Sequence, residues 1–425
     1  MFYTWFYRPI TEILSPIGIF VLWVLQLLAS KGTKELWKQR RGIYRNMLLP
    51  SRPRVWIHAA SVGEMTAAEA IVPQLQEIYP NCETIVTTMT FTGHKYAQKN
   101  LNIPSYMLPL DFPWTVKRAI QTISPTVLVL LETEIWPNLI ACAHHHKIPV
   151  CLINGRISQR ASGGFFAKRL YKPILSLFVK FSMINEQNKN RILALGASPH
   201  RIVVHSNAKL DTLLNRVAAC KKVTFLDPLV SHVSGKHVLV AGSIRHGEFS
   251  QLIKAAVQIY EKDPNAVFIF APRHLKRVQE LVDQLQIAGF QVELYSNASI
   301  AQKKVVAWVL DTIGDLFSIY QHVTVAFCGS SLVKLGGQNI FEPVAWKKPV
   351  LSGPSLEDFE LARDLLLRYE GLKIVYDEQD LANTVIKLFQ DSEKRQQMGD
   401  QAFRALETVL GGAKKHAKEI TPYLP

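Results

Sequence analysis

The sequence predicts an α/β protein made of two doubly wound domains, each with a parallel β-sheet covered by helices on both faces. Apolar strand-like runs alternate with helical stretches along most of the chain, and the runs are continuous in Val, Ile and Leu. Continuous apolar runs are typical of parallel strands that are buried on both faces. The alternation falls into two sets on either side of a polar, turn-forming stretch at 217–235. A chain of 425 residues has room for about two domains.

Twelve strands are predicted, six in each set. The first set covers 54–60, 83–90, 126–136, 150–156, 181–186 and 201–207. The second set covers 237–243, 266–274, 305–311, 323–329, 349–354 and 372–377. In open α/β sheets, ligands bind beyond the carboxyl ends of the strands. The polar segments that follow these strands are therefore the candidate site, and two such domains in series are expected to form a cleft between them.

An apolar segment precedes the first strand. Residues 13–30 carry no charged side chain, and as a helix they would extend about 27 Å, slightly less than the ~30 Å hydrocarbon core of a bilayer. Pro16 and the short length leave open whether the segment spans the membrane or lies in its interface. Aromatic residues precede the segment and basic residues follow it: Tyr3, Trp5, Phe6 and Tyr7, then Lys31, Lys34, Lys38, Arg40, Arg41 and Arg45. By the positive-inside rule, the basic cluster and the bulk of the chain are cytoplasmic and the aromatic residues lie at the opposite interface.

Charge is distributed unevenly along the chain. Residues 1–220 contain 25 Lys and Arg against 11 Asp and Glu, a net charge of +14, whereas residues 221–425 contain 24 against 23, a net charge of +1. The basic half is expected to face an anionic partner, such as a membrane surface or a phosphorylated lipid. Nucleic acid is the least favoured partner because no nucleic-acid-binding motif occurs in the sequence. We therefore predict an anchor over 1–30, a basic Rossmann-like domain over 31–220 and a nearly neutral Rossmann-like domain over 221–425.

Cysteine and histidine usage argues against a disulfide framework or a metal site. The five cysteines are scattered, odd in number and without a CxxC pair, which indicates a reducing compartment. The three histidines at 144–146 do not have the i, i+4 spacing of metal ligands on a helix. We expect no metal and no cofactor.

The first candidate catalytic residue is Glu64, in the segment HAASVGE that joins a predicted strand to a predicted helix. A glutamate in the first turn of a helix can simply complement the helix dipole. It can equally serve as a general base at the end of a strand, where burial would raise its pKa and basic neighbours would keep it ionised. Glu132 and Glu134 end another predicted strand, and alternation is expected to put them on the same side of it.

The second half carries groups suited to an anionic ligand. Arg273 lies just after the apolar run AVFIFA (266–271) of a predicted strand, so its guanidinium can bind phosphate or carboxylate oxygens. Gly314 and Asp315 are expected to begin a helix whose backbone amides face an anion. Asn339 and Glu342 are three residues apart and hence neighbours on a helical face, where they can hold ribose hydroxyls. The glycines at 336–337 allow close backbone approach.

Several of these segments together resemble the 3-deoxy-D-manno-octulosonic acid (Kdo) transferases. They are HAASVGE (58–64), LETEIWPN (131–138), AGSIRHGE (241–248), PRH (272–274) and GGQNIFEP (336–343). The resemblance implies a GT-B glycosyltransferase fold, two Rossmann-like domains with a cleft between them and an N-terminal membrane-anchor helix. It also implies inverting, metal-independent transfer of Kdo from CMP-Kdo to a lipid A precursor (lipid IVA), at the cytoplasmic face of the bacterial inner membrane. The number of Kdo units, their linkages and the oligomeric state are left open.

The resemblance also implies roles for individual residues. Glu64 would be the proton acceptor, and Glu134 and Lys209 would stabilise the transition state. The CMP group of the donor would be bound by Pro272, Arg273, Ile313, Gly314, Asp315, Asn339, Ile340, Phe341 and Glu342. The basic domain would then bind the acceptor, and the neutral domain would bind the donor.

Two other functions share some of these features. A transferase that moves a sugar from a UDP donor to another membrane lipid would also need a basic half and an anchor. A non-catalytic nucleotide-binding scaffold at the membrane would bind nucleotide without turnover. Glu64 and Lys209, together with the many polar strand ends, favour an enzyme over a scaffold.

Overall fold

The computed structural model describes residues 7–45, 47–158, 165–220, 228–297 and 306–425. The chain divides into two compact units. The first unit consists of Met1–Thr212 together with Leu410–Pro425, and the second consists of Leu213–Val409. Each unit contains its own parallel sheet.

The first unit is built on a seven-stranded sheet in which every described strand pair is parallel. Its strands are β1 (Arg54–His58), β2 (Glu83–Thr88), β3 (Ser105–Met107), β4 (Val127–Leu131), β5 (Val150–Gly155), β6 (Lys180–Met183) and β7 (Ile202–Val204). Their spatial order is β3-β2-β1-β4-β5-β6-β7. The central strand β1 is in register with both neighbours, so that Trp56 lies opposite Ile85 and Leu128.

Helices cover both faces of this sheet. Along the chain they are α1 (Arg8–Leu28), α2 (Lys31–Arg40), α3 (Val62–Ile78), α4 (Phe91–Asn100), α5 (Pro113–Ile123), α6 (Pro137–His145), α7 (Phe165–Leu175) and α8 (Glu186–Ala194), and α9 (Asp211–Cys220) then leads from the first unit into the second. Successive residues of β4 enter different cores, since Leu128 and Leu130 pack on one face while Val127 and Val129 pack on the other. Each such side chain stabilises the fold by about 1.5–3 kcal/mol relative to an exposed one. Burial on both faces is the reason that the strands read as continuous apolar runs.

The second unit also has a seven-stranded sheet with parallel described pairs. Its strands are β8 (Val238–Ile244), β9 (Val267–Pro272), β10 (Val292–Leu294), β11 (Ala307–Val309), β12 (Val325–Cys328), β13 (Val350–Ser352) and β14 (Leu372–Ile374), in the order β10-β11-β9-β8-β12-β13-β14. The helices that follow α9 are α10 (Pro228–Val233), α11 (Phe249–Lys262), α12 (Val278–Ile287), α13 (Leu316–Ile319), α14 (Phe341–Val344), α15 (Glu360–Arg368), α16 (Glu378–Gln390), α17 (Ser392–Glu407) and α18 (Gly412–Lys418).

The C-terminal segment belongs to the first unit, which differs from the predicted domain of 221–425. Ala413 and Ala417 of α18, with Ile420 and Leu424 after it, are buried in the same core as β1 and α3. These small side chains let α18 pack closely on α3. The chain therefore leaves the first sheet, forms the second, and returns to the first.

The predicted strands correspond to observed ones, and two short strands were missed. These are β3 and β10, which have three residues each and lie at the edges of their sheets. Their sequences, SYM and VEL, contain Ser and Glu and lack the continuous apolar run that indicates a buried strand. The predicted strand at 126–136 is also too long, because β4 ends at Leu131 and Glu132 adopts a left-handed conformation with φ of 59°.

Candidate active site

Glu64 lies in the first turn of α3, where it completes a capping box with Ser61. The Ser61 backbone N–H donates to the Glu64 carboxylate at 3.0 Å, and the Ser61 hydroxyl donates to the same oxygen. Burial raises the pKa of Glu64, but these hydrogen bonds and the nearby charge of Lys209 outweigh it and lower the pKa below the ordinary value. The expected rise of this pKa is therefore wrong, because the negative charge is already hydrogen-bonded in place. Glu64 is ionised at neutral pH.

Lys209 lies in a short 3₁₀ turn after β7 and forms an ion pair with Glu132. The Asn207 side chain accepts the Lys209 backbone N–H at 3.1 Å. The Asn154 side chain, at the end of β5, accepts the Ala208 N–H at 2.9 Å and donates to Asn207 at 3.2 Å. The backbone around Lys209 is thus fastened to the carboxyl end of β5.

Glu132 follows β4 and is almost fully buried, with 8% of its side chain exposed. Burial raises the pKa of its carboxyl group, Lys209 opposes this rise, and the negative charge of Glu64 adds to it. Lys209 acts on the pKa of both carboxylates. Glu64, Glu132 and Lys209 therefore form one electrostatic cluster, in which Lys209 is shared by the two carboxylates, and the charge of Arg156 also lowers the pKa of Glu132.

Glu134 makes different contacts from Glu132. The Trp136 indole N–H donates to the Glu134 carboxylate at 2.8 Å, and Nε2 of the fully buried His58 lies 3.6 Å from the same oxygen. The expectation that Glu132 and Glu134 lie on the same side of an extended strand is wrong, because the left-handed residue Glu132 ends the alternation. Sequence reasoning singled out neither His58 nor Trp136, although both lie in the segments that carry the resemblance.

The C-terminal segment holds the turn that carries Lys209. The Asp211 carboxylate accepts the backbone N–H groups of Gly411 and Ala413 at 2.7 and 2.6 Å. His416 Nε2 lies 3.0 Å from the Ser206 carbonyl oxygen, and its Nδ1 lies 2.7 Å from the Ser182 hydroxyl. A side chain on Gly412 would come within 2.3 Å of that carbonyl oxygen. The return of the chain thus fixes both flanks of Lys209, which sequence reasoning did not find.

In the second unit, Glu342 is the centre of a charged group at the start of α14. Arg216 of α9 has its guanidinium 3.6 Å from the Glu342 carboxylate and 3.8 Å above the ring of Phe317. Burial raises the pKa of Glu342, and the raising is opposed by Arg216, by the Asn339 side chain and by Arg273. The structure therefore brings Asn339, Glu342 and Arg273 together, and it adds Arg216, which the sequence did not indicate.

The other predicted donor residues have distinct environments. Pro272 is the last residue of β9. Arg273 follows it with an exposed side chain, and the Arg273 backbone N–H donates to the Ile244 carbonyl oxygen. Ile340 and Phe341 are buried, so that only their backbone can meet a ligand. The predicted residues in the loop before α13 are Ile313, which is 88% exposed, Gly314, which has φ of 106°, and Asp315. Asp315 is the N-cap of α13, and its carbonyl oxygen accepts the Ile319 N–H at 3.1 Å, whereas Ile313 and Gly314 precede the helix.

A buried carboxylate organises the strand ends of this unit. Glu248, fully buried after β8, accepts the backbone N–H groups of Ser330, Ser331 and Leu332 at 2.6–2.9 Å. This joins the loop after β8 to the loop after β12. Gly336 and Gly337 follow in that loop with φ of 82° and 79°, and side chains there would collide with Asp358 and Leu356. These glycines are therefore required by the backbone conformation and by close packing.

Within the part of the chain that the structure describes, three or more His, Cys, Asp or Glu side chains do not come together in an arrangement that could hold a metal ion. Arg216 and Arg273 are cationic groups near Glu342. In the first unit the corresponding cation is Lys209. These side chains could bind the anionic groups of a ligand.

Comparisons with known proteins agree with this geometry. Residues 35–212 match the family model described as 3-deoxy-D-manno-octulosonic-acid transferase (kdotransferase). The 3-deoxy-D-manno-octulosonic acid transferase of Haemophilus influenzae is 29% identical over 99% of this chain and 98% of its own length. The transferase of the same name from Chlamydia muridarum is 26% identical over 90% of this chain and 89% of its own.

A solved structure shares the fold. UDP-GlcNAc 2-epimerase from Neisseria meningitidis is 15% identical, covers 85% of this chain and 97% of its own, and superposes with a TM-score of 0.60. The predicted two-domain α/β architecture of the GT-B class is confirmed. The glycosyltransferase activity expected from the sequence is confirmed by the family match. Over nearly its whole length, the chain is thus similar to 3-deoxy-D-manno-octulosonic acid transferases.

Proposed function

We propose that this glycosyltransferase moves Kdo from CMP-Kdo to a lipid A precursor, lipid IVA, in lipopolysaccharide biosynthesis. The family match supports the transferred sugar. The proposal includes inversion at the anomeric carbon, independence from metal ions and a location at the cytoplasmic face of the bacterial inner membrane. The first unit binds the acceptor and the second binds the donor.

One observation carries the mechanism: an ionised, partly accessible carboxylate next to a lysine at the strand ends of the basic unit. Glu64 is only half-buried, and its pKa lies below the ordinary value. A base must be deprotonated before it can accept the proton of the acceptor hydroxyl. Glu132 lies deeper and is paired with Lys209, so Glu64 can gain a proton without leaving an unpaired buried charge.

The proposed step is a single displacement. The acceptor hydroxyl gives its proton to the Glu64 carboxylate while its oxygen forms a bond to the anomeric carbon of Kdo. The bond from that carbon to the phosphate oxygen of CMP breaks, and its electron pair leaves with CMP. Because the oxygen attacks opposite the leaving group, the anomeric configuration inverts. Lys209 would offset the negative charge of the Kdo carboxylate near this centre.

Arg273 supports binding of the donor because it is an exposed cation at the carboxyl end of β9. Its guanidinium can stabilise the phosphate charge of the departing CMP, which is the task that a metal performs in other transferases. Asn339 and Glu342 together offer an amide and a carboxylate to ribose hydroxyls. This is the basis for proposing transfer without a metal.

Helix α1 supports association with a membrane. It is the one helix among the described residues that is long and apolar enough to cross a bilayer, a weak indication by itself. The net positive charge of the first unit adds to it, since anionic lipid attracts basic surfaces by about 1 kcal/mol per residue near the membrane.

The test is to incubate the enzyme with CMP-Kdo and tetraacyl lipid A precursor and to measure the product by mass spectrometry. We expect a mass increase by whole Kdo units, whose number also counts the transfers. Proton NMR of the product reports the anomeric configuration. Glu64→Gln is the inactive control, and UDP-sugars replace CMP-Kdo in a second control. Product from a UDP-sugar alone, retention of configuration, or activity lost with EDTA and restored by Mg²⁺ would each contradict the corresponding part of the proposal.

A further inference from the structure

The geometry points to α1 lying in the plane of one membrane interface, with both of its ends on the side of the catalytic units, and not crossing the bilayer. The partner is a phospholipid leaflet that contains anionic lipid. This inference rests on the membrane association proposed above and adds the topology.

One face of α1 is fastened to the first unit along most of the helix. Near the N-terminal end, the Tyr7 hydroxyl donates to Asp111 at 2.9 Å, and the Asn138 amide donates to the Thr11 hydroxyl at 3.0 Å. This contact of Tyr7 differs from the expected position at the far interface; Tyr3, Trp5 and Phe6 lie outside the described residues. Towards the other end, Leu22 is buried and Gln26 accepts a hydrogen bond from Arg41.

The middle of α1 contacts a loop of the first unit directly. Gly18 approaches Phe112 so closely that a side chain at this position would come within 2.4 Å of the Phe112 ring. Phe112 immediately precedes α5 and follows the irregular segment at 108–111. Gly18 is therefore a contact residue, and the centre of the apolar helix is fixed to the surface of a folded unit.

A membrane-spanning α1 would carry this surface into the hydrocarbon. Gly18 would lie near the bilayer centre and Phe112 beside it. Lys117 and Arg118 are exposed on α5, only about 8–9 Å further along at 1.5 Å per residue. Because this distance from the bilayer centre is less than half of the ~30 Å hydrocarbon core, both charges would lie inside the core. Each charge in the core costs about 2.5–3.5 kcal/mol. Irregular backbone exposed to lipid at that depth is also not tolerated.

The opposite face of α1 has the composition of a helix embedded in one leaflet. Ile13, Ile17, Phe20 and Leu28 are 73%, 62%, 61% and 80% exposed. An apolar face of this kind can enter about 5–10 Å into the headgroup and acyl boundary. Basic residues follow directly in α2, where the exposed Lys34 can meet anionic headgroups. A position in the membrane interface thus accounts for both faces of α1, the one that contacts the first unit and the apolar one that is exposed.

The experiment compares two single cysteines, at the two ends of α1. Cys82, Cys142 and Cys220, the cysteines with partial exposure, are first replaced by serine. Glu12→Cys and Ser30→Cys are then introduced separately into the full chain, since both positions are exposed. A membrane-impermeant maleimide is applied to intact spheroplasts and to inverted inner-membrane vesicles.

We expect both cysteines to react in inverted vesicles and neither to react in spheroplasts until the membrane is permeabilised. Labelling of Glu12→Cys in intact spheroplasts, with Ser30→Cys protected, would mean that α1 crosses the bilayer and would overturn the inference. Failure of the enzyme to sediment with membranes would instead contradict membrane association itself. Transfer activity of each variant in detergent confirms that it is folded.

Discussion

The first unit carries 27 lysines and arginines against 12 aspartates and glutamates, a net charge of +15, whereas the second unit carries 22 of each. Both units have a seven-stranded parallel sheet, and both place polar side chains at the strand ends. The entire net charge of the protein thus resides on one of two similar scaffolds. The fold does not require this difference, and it matches the proposed division of binding, with a phosphorylated lipid at a membrane for the first unit and a nucleotide-linked sugar for the second.

The two units also use one local geometry for different purposes. In each, two residues other than glycine are left-handed at the ends of neighbouring strands: Glu132 and Asn154 in the first, Ser243 and Ser330 in the second. Such conformations cost about 1–3 kcal/mol and persist where the surroundings hold them. In the first unit, the left-handed conformation of Glu132 directs its carboxylate towards Lys209. In the second, the Ser330 N–H meets the buried Glu248 carboxylate at 2.6 Å.

The largest expected effect is a loss of turnover on substitution of Glu64, which tests whether the general base lies in the first unit. Glu64→Gln removes the proposed proton acceptor and should lower kcat by at least ~100-fold, while the affinity for CMP stays unchanged because the proposed donor-binding residues are in the second unit. Steady-state kinetics and isothermal titration with CMP measure the two quantities. Glu69→Gln, further along the same helix, is the matched control and should leave kcat unchanged. Near-normal turnover of Glu64→Gln would exclude it as the base.

The next prediction concerns the stability of the first unit. His416 is fully buried and burial lowers its pKa to about 4 from an ordinary value of 6.5. The unfolded chain binds a proton below pH 6.5 and the folded chain does not until about pH 4. The contribution of His416 to the free energy of unfolding is therefore fully present above pH 6.5. It is lost as the pH falls towards 4, by about 3 kcal/mol in total.

Differential scanning calorimetry at pH 7 and pH 5 tests this dependence on His416. His416→Gln should be less stable at pH 7, because it disturbs the contacts with Ser182 and Ser206, but its stability should change less between the two pH values. His200→Gln, an exposed histidine of the same unit, should keep the dependence of the unchanged protein. An equal change in stability between pH 7 and pH 5 in His416→Gln and in the unchanged protein would contradict the role of this histidine.

A smaller effect is expected from the donor side. Arg273→Ala removes an exposed charge that can bind phosphate, and a charge-assisted hydrogen bond contributes about 1.5–3 kcal/mol, which corresponds to a roughly 10- to 100-fold weaker Kd for CMP. Arg277→Ala is the matched control, since Arg277 is an exposed neighbour that pairs with Glu280. If isothermal titration finds the same Kd in Arg273→Ala and the control, Arg273 does not bind the donor.

The smallest effect sharpens the roles of the two carboxylates in the first unit. The pKa of Glu132 is raised and that of Glu64 is lowered, so acidification protonates Glu132 first and breaks its ion pair with Lys209. Loss of kcat/KM at low pH should therefore begin with Glu132. In Glu132→Gln the remaining activity should be lower at neutral pH, but its acid limb should move to lower pH. An acid limb at the same pH in both proteins would contradict this order of protonation.

Features encoded by neighbouring residues were predictable from the sequence. The strands of both sheets read as continuous apolar runs because each is buried on two faces. Ser61 and Glu64 have the spacing of a capping box, so the position of Glu64 in the first turn of α3 follows from four consecutive residues. Arg273 was found for the same reason, since it directly follows an apolar run. Asn339 and Glu342 were found by their spacing of three residues, although Asn339 precedes α14 and is not part of it.

Features that depend on distant residues were not predictable. Alternation along a strand predicts equal directions for Glu132 and Glu134, and only the left-handed backbone of Glu132 separates them. Arg216 reaches Glu342 across 126 positions of sequence, and no local pattern marks such a pair. The return of residues 410–425 to the first unit is of the same kind, because small residues such as Ala413 and Ala417 fit many helix interfaces equally well.

By itself, the sequence determined the two α/β sets, the resemblance to a family and the identity of the strand-end residues, because apolar periodicity and short motifs act over a few neighbouring positions. Tertiary structure alone decided which carboxylate pairs with Lys209, how α18 holds that lysine, and which face of α1 is left exposed. Each of these depends on side chains from separate elements meeting at distances of a few ångströms. Such meetings are selected by the packing and electrostatics of the whole unit, and many arrangements satisfy the local pattern equally well.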